Sequence, residues 1–283
     1  MLDLYRIESR TKNIVLYVSF VAVTLILLLP IFWMLSTSLK SPGEVFDIPI
    51  QWIPDQPLWS NYSEAWANPK GATTFTRYTI NSIIVAGTVT VVHVLLASLA
   101  GFGLAKYRFM GRQFLTVAIL ATLMLPLEVI MVPLFVTVRD LGWLDSYQGL
   151  IVPIIADAFG VFVMRQHFRS LPDELIDAAL VDGSGHLRIF FRIAVPLSWP
   201  AIAVVAIFIF RETWDDFLWP LLVVQSGSMR TIPLGIRVFE SAELSNFGQI
   251  MAISTLAFIP LLLLFLIFQK AFIRGVAHSG LRG

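Results

Sequence analysis

Long apolar stretches alternate with short charged ones along the chain, and six stretches approach or exceed the roughly 20 residues a helix needs to cross a hydrocarbon core. They are Asn13–Leu39, Thr79–Leu104, Phe114–Val138, Gln148–Phe168, Leu197 to about Trp214, and Gly248–Phe268. A further apolar piece, Phe217–Val224, follows the fifth after a run of charges. The pattern predicts an all-α, polytopic membrane protein with six transmembrane helices. The first run carries no charge between Lys12 and Lys40, far longer than the roughly 7–15 residues of a signal-peptide core, and no small-residue cleavage site follows it. It is expected to be a retained anchor. Pro30, Pro126, Pro133, Pro153, Pro200 and Pro260 fall within spans. Each is either an ordinary kink or a break whose freed backbone groups line a polar cavity.

Composition agrees with lipid as part of the solvent. The 283 residues are 57% hydrophobic and 14% charged, with a mean hydropathy of +0.78. Average soluble domains are about 25% charged, so polar surface here is too scarce to cover a soluble core. A net charge of +1 offers no overall field for nucleic acid. The absence of cysteine excludes disulfides, thiolate catalysis and sulfur-ligated metals. His93, His167, His186 and His278 have no metal-ligand spacing, so no metal is expected. His93, midway along the second span, reads as a packed neutral side chain rather than a proton relay.

Lysine and arginine set the orientation. Thirteen lie before the first span, in the second-to-third and fourth-to-fifth links and in the tail, against six in the opposite loops, with Arg211 inside the fifth span. Both termini are therefore expected in the cytoplasm, as six crossings require. This divides the chain into a cytoplasmic N-terminus, 1–12, and a single transmembrane domain, 13–283. Loop 170–196 is then cytoplasmic, and loops 41–78 and 225–247 lie outside. The first outer loop carries Trp52, Trp59 and Trp66 among several prolines and is expected to fold against the membrane surface.

The most informative stretch is the link SLPDELIDAALVDGSGHLRIFFRIAVP, Ser170–Pro196. Pro172 suits a first helical turn, and Asp173 and Glu174 favour the positive helix end. Leu175, Ala178, Ala179 and Asp182 are expected on one face, with small alanines admitting another surface. Gly183 can end that helix in the left-handed conformation. A second short helix should follow, with Leu187, Phe190 and Phe191 on one side and Arg188 and Arg192 on another. On physical grounds this is either a rigid helix–turn–helix serving as a docking surface or a plain linker whose arginines obey the charge bias.

The residues themselves favour docking. The link resembles the cytoplasmic EAA loop of ATP-binding-cassette (ABC) importer permeases: Glu-Ala-Ala, three residues, Gly, nine residues, Ile, one residue, Leu, Pro. Here it reads Asp177-Ala178-Ala179, Gly183, Ile193, Val195, Pro196, with aspartate for glutamate and valine for leucine. Asp177 is one methylene shorter, which reduces its reach. Asn81-Ser82, Met124–Phe135, Phe159–Phe168, Trp214–Val224 and the ending Gly280–Gly283 are similar to the carbohydrate-importer branch, the maltose-transporter type with six spans. The resemblance implies a type I ABC importer permease fold and a machine of several chains. Two permeases, usually unlike, enclose a cavity, two cytoplasmic ATPases holding ATP and Mg grip the EAA loops, and an extracytoplasmic binding protein delivers the solute. It implies coupling to the ATPase through Asp177, Ala178, Ala179, Asp182, Gly183 and Pro196, and a further contact through Gly280, Leu281, Arg282 and Gly283. The chain contains no G-x-x-x-x-G-K-[ST] phosphate loop, so it carries no ATP site of that kind and is not expected to be an enzyme.

Ionisable residues within spans carry an insertion cost of roughly 2.5–3.5 kcal/mol, which makes each a functional candidate. They are Glu128, Asp157, Arg211, Glu212, Asp215 and Asp216, with Trp214 beside them. Arg211 and Asp215 are spaced to pair along one helical face. These groups form either a polar cavity wall or outer gate for a hydroxyl-rich solute, or a helix end emerging among headgroups. The expected function is the permease half of an ATP-driven sugar importer. The same machine carrying glycerol phosphate, a polyol or another small solute is the alternative. An intramembrane enzyme or an ion-driven transporter is more distant, because adjacent Asp215 and Asp216 point apart on a helix and no repeat is visible.

Overall fold

The computed structural model describes residues 2–67, 73–242 and 246–280, with side chains for 13–67, 73–241 and 246–270. Among the described residues all regular structure is helical. In chain order the α-helices are α1 (Leu2–Thr37), α2 (Ser60–Ala67), α3 (Phe75–Lys106), α4 (Arg112–Thr122), α5 (Leu127–Asp140), α6 (Tyr147–Ile151) and α7 (Ala158–Ser170). Then come α8 (Asp173–Val181), α9 (His186–Ile189), α10 (Val195–Leu197), α11 (Trp199–Asp215), α12 (Leu218–Val223), α13 (Ile232–Ala242) and α14 (Phe247–Gly280).

Three helical stretches, Asn13–Thr37, Phe75–Lys106 and Phe247–Lys270, are each long and apolar enough to cross a membrane unbroken. Three bent pairs supply the further candidate spans: α4 with α5 at 97°, Tyr147–Ile154 with α7 at 46°, and α11 with the preceding His186–Leu197 at 81°. Counting each pair once gives the six spans expected from hydropathy. Continuous helices over Phe114–Val138, Gln148–Phe168 and from Leu197 are corrected accordingly. Pro126 explains the first break, since it lacks an N–H and forces residue 125 out of helical geometry. Pro30, Pro133 and Pro260 lie inside unbroken helices, and Pro153 and Pro200 occupy first-turn positions, where the missing donor costs nothing.

The chain divides into two compact units, 2–67 with 239–242 and 246–256, and 73–238 with 257–280. In the first unit, α1 leaves Val15, Phe20 and Ile26 exposed, as a lipid-facing helix does. The loop after it is held by polar contacts. The buried Lys40 Nζ donates to the Gln51 carbonyl and sits 4.3 Å from the Trp33 ring centroid. Asn61 Nδ2 donates to the carbonyls of Ser38 and Lys40, both at 3.0 Å. Gln249 Nε2 donates to Glu64 Oε2 at 2.6 Å.

The second unit is built on α3, whose buried Val85, Val89, Ala97 and Phe102 join Met164, Phe168, Val205 and Ile209 in one core. α3 and α7 approach closely at Gly160, where a Cβ would stand 2.2 Å from His93 Nε2 and 2.9 Å from Ala97 Cβ. Only a residue without a side chain fits there. His93 is packed beneath this contact, 1% exposed.

Loop 225–232 is fastened to α3 by Asn81. Its Nδ2 donates to the carbonyls of Ser228 and Arg230, both at 2.8 Å, while its Oδ1 accepts from Tyr147 Oη at 2.7 Å. Ser82 Oγ accepts from Ile232 N at 2.8 Å. Asp145, in the positive-φ conformation, accepts from the N–H groups of Gln225 and Ser226. Partial burial raises its pKa, but the bonds from Ser226 and Gln225 outweigh that and hold the carboxyl below its ordinary range.

Candidate coupling surface and membrane-embedded charges

The link between the fourth and fifth spans is a rigid element. α8 starts directly after Pro172, and α3 anchors its first turn: Lys106 Nζ donates to Leu171 O and Asp173 Oδ1, both at 2.6 Å. The Lys106 side chain is 3% exposed, so the anchor is fixed by packing as well as charge. The hydrogen bond from Lys106 and then its charge hold the Asp173 carboxyl below its ordinary pKa. α8 ends in a Schellman turn. Gly183 N donates to Leu180 O at 3.0 Å and Ser184 N to Ala179 O at 2.9 Å, with Gly183 at φ +77°.

The inward face of this element differs from the expected one. Ile176 and Ala179 are buried on α8, followed by Ile189, Phe190 and Ala194. Leu175, Ala178 and Asp182 do not share Ala179's environment: they lie exposed with Asp177, and Val181 is 88% exposed. On the second helix only Phe190 of the expected trio is inside, with Leu187 and Phe191 exposed. Ile189 and Phe190 define the inward side, with Ala194 following one turn on, so Leu187 and Phe191 share the opposite side; a π-helical turn then runs over Phe190–Ala194. Pro196, exposed in the next turn, has no N–H to give to the Arg192 carbonyl, which suits that wider turn.

Aromatic contacts join the element to the span ends. Phe102 stands 5.3 Å from Phe168 and 5.4 Å from Phe190, centroid to centroid. Tyr107 Oη lies 2.9 Å from His186 Nδ1. Such contacts pack the element against the ends of α3 and α7, and packed interiors deform little.

The charges within spans gather at the helix breaks. Asp157 caps α7, accepting from Phe159 N at 2.7 Å and Gly160 N at 3.2 Å. Its Oδ1 is 3.7 Å from His93 Nε2. Asp216 accepts from Trp219 N at 3.2 Å, across the start of α12. Arg211 Nε lies 3.4 Å from Asp215 Oδ2, with both side chains substantially exposed. Glu212 is exposed and feels the charges of Asp157 and Asp216. Trp214 is buried, its Nε1 donating to Ala257 O at 3.2 Å. Asp157, Glu212, Asp215, Asp216 and Arg211 are thus near one another in the second unit, whereas Glu128 stands apart in the first turn of α5. Two of the acids, Asp157 and Asp216, have a helix-capping role that the bare charge pattern missed, although an aspartate just before a helix is a capping signal. Gly280 ends α14; Leu281, Arg282 and Gly283 lie outside the described residues.

Residues 93–278, which include the coupling link and the charges within spans, match the family described as binding-protein-dependent transport system inner membrane component. The chain belongs to this family of transport permeases. The arabinooligosaccharides transport system permease protein AraQ of Bacillus subtilis (strain 168) is 36% identical over 273 residues, with 96% of each chain covered. The sn-glycerol-3-phosphate transport system permease protein UgpE of Yersinia pestis bv. Antiqua (strain Antiqua) is 34% identical, covering 96% of this chain and 98% of its own. Among solved structures, a bacterial ABC transporter involved in import of the acidic polysaccharide alginate gives a TM-score of 0.79 at 25% identity. That match covers 93% of this chain and 97% of the neighbour. The permease therefore has the type I ABC importer fold and is a non-catalytic inner-membrane component. It works with a binding protein and an ATPase.

Proposed function

We propose that this permease forms half of the translocation path for a sugar or oligosaccharide and takes its drive through loop 170–196. The observation that carries the coupling reading is the two-sided build of that loop. One side, Ile176, Ala179, Ile189 and Phe190, is sunk in the core, and the other, Asp177, Ala178, Asp182 and Gly183, is exposed. An external grip on the exposed side moves the buried side with it. In this reading the loop faces the cytoplasm with both termini, and loops 41–78 and 225–247 face outside. The ATPase, present as two copies, supplies ATP and Mg, and Gly280–Gly283 add a further contact. The companion permease is an unlike chain, as the expected family pairing implies.

The cargo reading rests on the exposed polar groups Arg211, Glu212 and Asp215 at the end of α11, with half-buried Asp216 beside them, which suit hydroxyl-rich solutes. AraQ and the alginate importer carry saccharides by name. The UgpE relatives favour glycerol phosphate as the second reading, but three acids and one arginine are a poor lining for a phosphate dianion. The test is uptake of labelled solutes into vesicles holding the assembled importer. ATP-dependent uptake of a neutral glycan supports the proposal. Uptake driven by a proton gradient without ATP would overturn the coupling reading, and uptake of glycerol phosphate alone would overturn the cargo.

A further inference from the structure

Where α3 gives way to α4, the chain forms an open cavity of about 540 Å³ against Arg165 of α7. Two arginines from separate helices line it, Arg112 in the first turn of α4 and Arg165 in α7. Gln113, Phe109, Phe114 and Val117 stand beside them, and no lining residue is acidic. The charges that act on the Arg165 guanidinium are those of Arg169 and Arg112, so three positive groups converge without a carboxylate between them. Arg165 Nε is buried and has no hydrogen-bond partner. A buried donor left unpaired on a guanidinium beside like charges is a cost that an arriving anion offsets. The rim is apolar and outward-facing, with Phe114 75% and Val117 61% exposed, and α4 is half of a bent membrane span. Donors inside and apolar side chains at the mouth match the chemistry of the boundary between headgroups and hydrocarbon.

We propose that this cavity binds the phosphodiester headgroup of an anionic membrane lipid, Arg112 and Arg165 taking the phosphate while Phe114 and Val117 lie along the acyl chain. Basic pockets at span ends hold such headgroups, and a bidentate guanidinium matches the phosphate oxygens. Soluble phosphate shares that chemistry but makes no use of the apolar rim. Only the choice of leaflet rests on the orientation proposed above, which makes it the cytoplasmic one.

The test is native mass spectrometry of the full importer complex, delipidated in detergent and titrated with phosphatidylglycerol, phosphatidylcholine or inorganic phosphate. Wild type should retain phosphatidylglycerol and not phosphatidylcholine, with R112Q/R165Q binding about thirty-fold more weakly. R112K/R165K, which keeps both charges but not the bidentate geometry, should recover part of the loss and so exclude misfolding as the cause. Equal retention of phosphatidylglycerol by wild type and the glutamine pair would overturn the proposal. So would displacement of the lipid by millimolar inorganic phosphate, which would make the ligand a soluble anion. M110C, a single cysteine in a cysteine-free chain at a fully exposed position outside the cavity lining, separates this from the orientation: labelling from outside sealed cells would overturn the leaflet, while lipid retention in detergent would be unchanged.

Discussion

Gly183 separates a structural role of the coupling loop from a docking role. It sits at φ +77°, and a Cβ built there meets nothing within 4 Å. A substituted residue therefore has to hold left-handed backbone but meets no neighbour. The strain is about 1–2 kcal/mol for an ordinary L-residue and less for asparagine, which tolerates that conformation. Against a typical stability of roughly 5–15 kcal/mol, such a loss leaves the chain inserted and folded. Gly183→Asn, Gly183→Ala and Gly183→Trp should accordingly lie within about 1–2 kcal/mol of one another in detergent denaturation. Uptake should not follow that order. A tryptophan at 183 projects from the turn beside exposed Asp182, so it blocks a partner seated there. In proteoliposomes supplied with ATP, asparagine should retain transport, alanine most of it, and tryptophan none. Transport by Gly183→Trp at the wild-type rate would refute the docking role, and loss of uptake in strict proportion to stability would reduce Gly183 to a turn-former.

Other expectations follow from the same contacts. Lys106→Met removes both bonds to the start of α8, leaves the Leu171 carbonyl unpaired at a cost of about 1–3 kcal/mol, and should leave ATP hydrolysis running with uptake impaired. Because Asp173 has a depressed pKa, its bond to Lys106 contributes fully above the ordinary carboxylate range near pH ~4 and is lost as pH falls through the depressed value. Asp173→Asn should remove that acid sensitivity from hydrogen exchange at the start of α8. Gly160→Ala places a methyl 2.2 Å from His93 Nε2, an overpacking of at least 1–3 kcal/mol, roughly, and His93→Ala should relieve it in the double variant. Additive losses in thermal denaturation would show that the two helices do not meet there. Asn81→Ala removes two hydrogen bonds to loop 225–232 and a third from Tyr147, and should raise proteolysis within that loop from the outer face, with little change in overall unfolding.

Spans and link were legible in the sequence because lipid imposes a length and composition that a single chain must show. The breaks were not, since proline has opposite consequences at different depths of a helix. Pro126 breaks one, Pro133 is absorbed inside the next, and Pro200 merely starts a third. Around Gly183 the turn could be read directly, because its geometry depends on one residue lacking a side chain. Facing was misjudged on both helices of the link. Ala179 turns inward away from Ala178, and on the second helix the inward side is set by Ile189 and Phe190, which leaves Leu187 and Phe191 outside although all four are apolar. Asn81 was noticed only as part of a resemblance. Its partners lie 66 to 149 residues away, and no local pattern announces a bond of that range. The acids at 157 and 216 were weighed as cavity wall, yet each first satisfies the backbone donors of a helix start.

The coupling role is tested most directly at Ala178. The chain has no cysteine, so Ala178→Cys is a single reporter on the exposed side of α8. A membrane-impermeant thiol reagent should label it in inside-out vesicles and not in intact cells, and adding the ATPase subunit should protect it. Labelling in intact cells, or labelling indifferent to the ATPase, would contradict a cytoplasmic handle gripped by a motor.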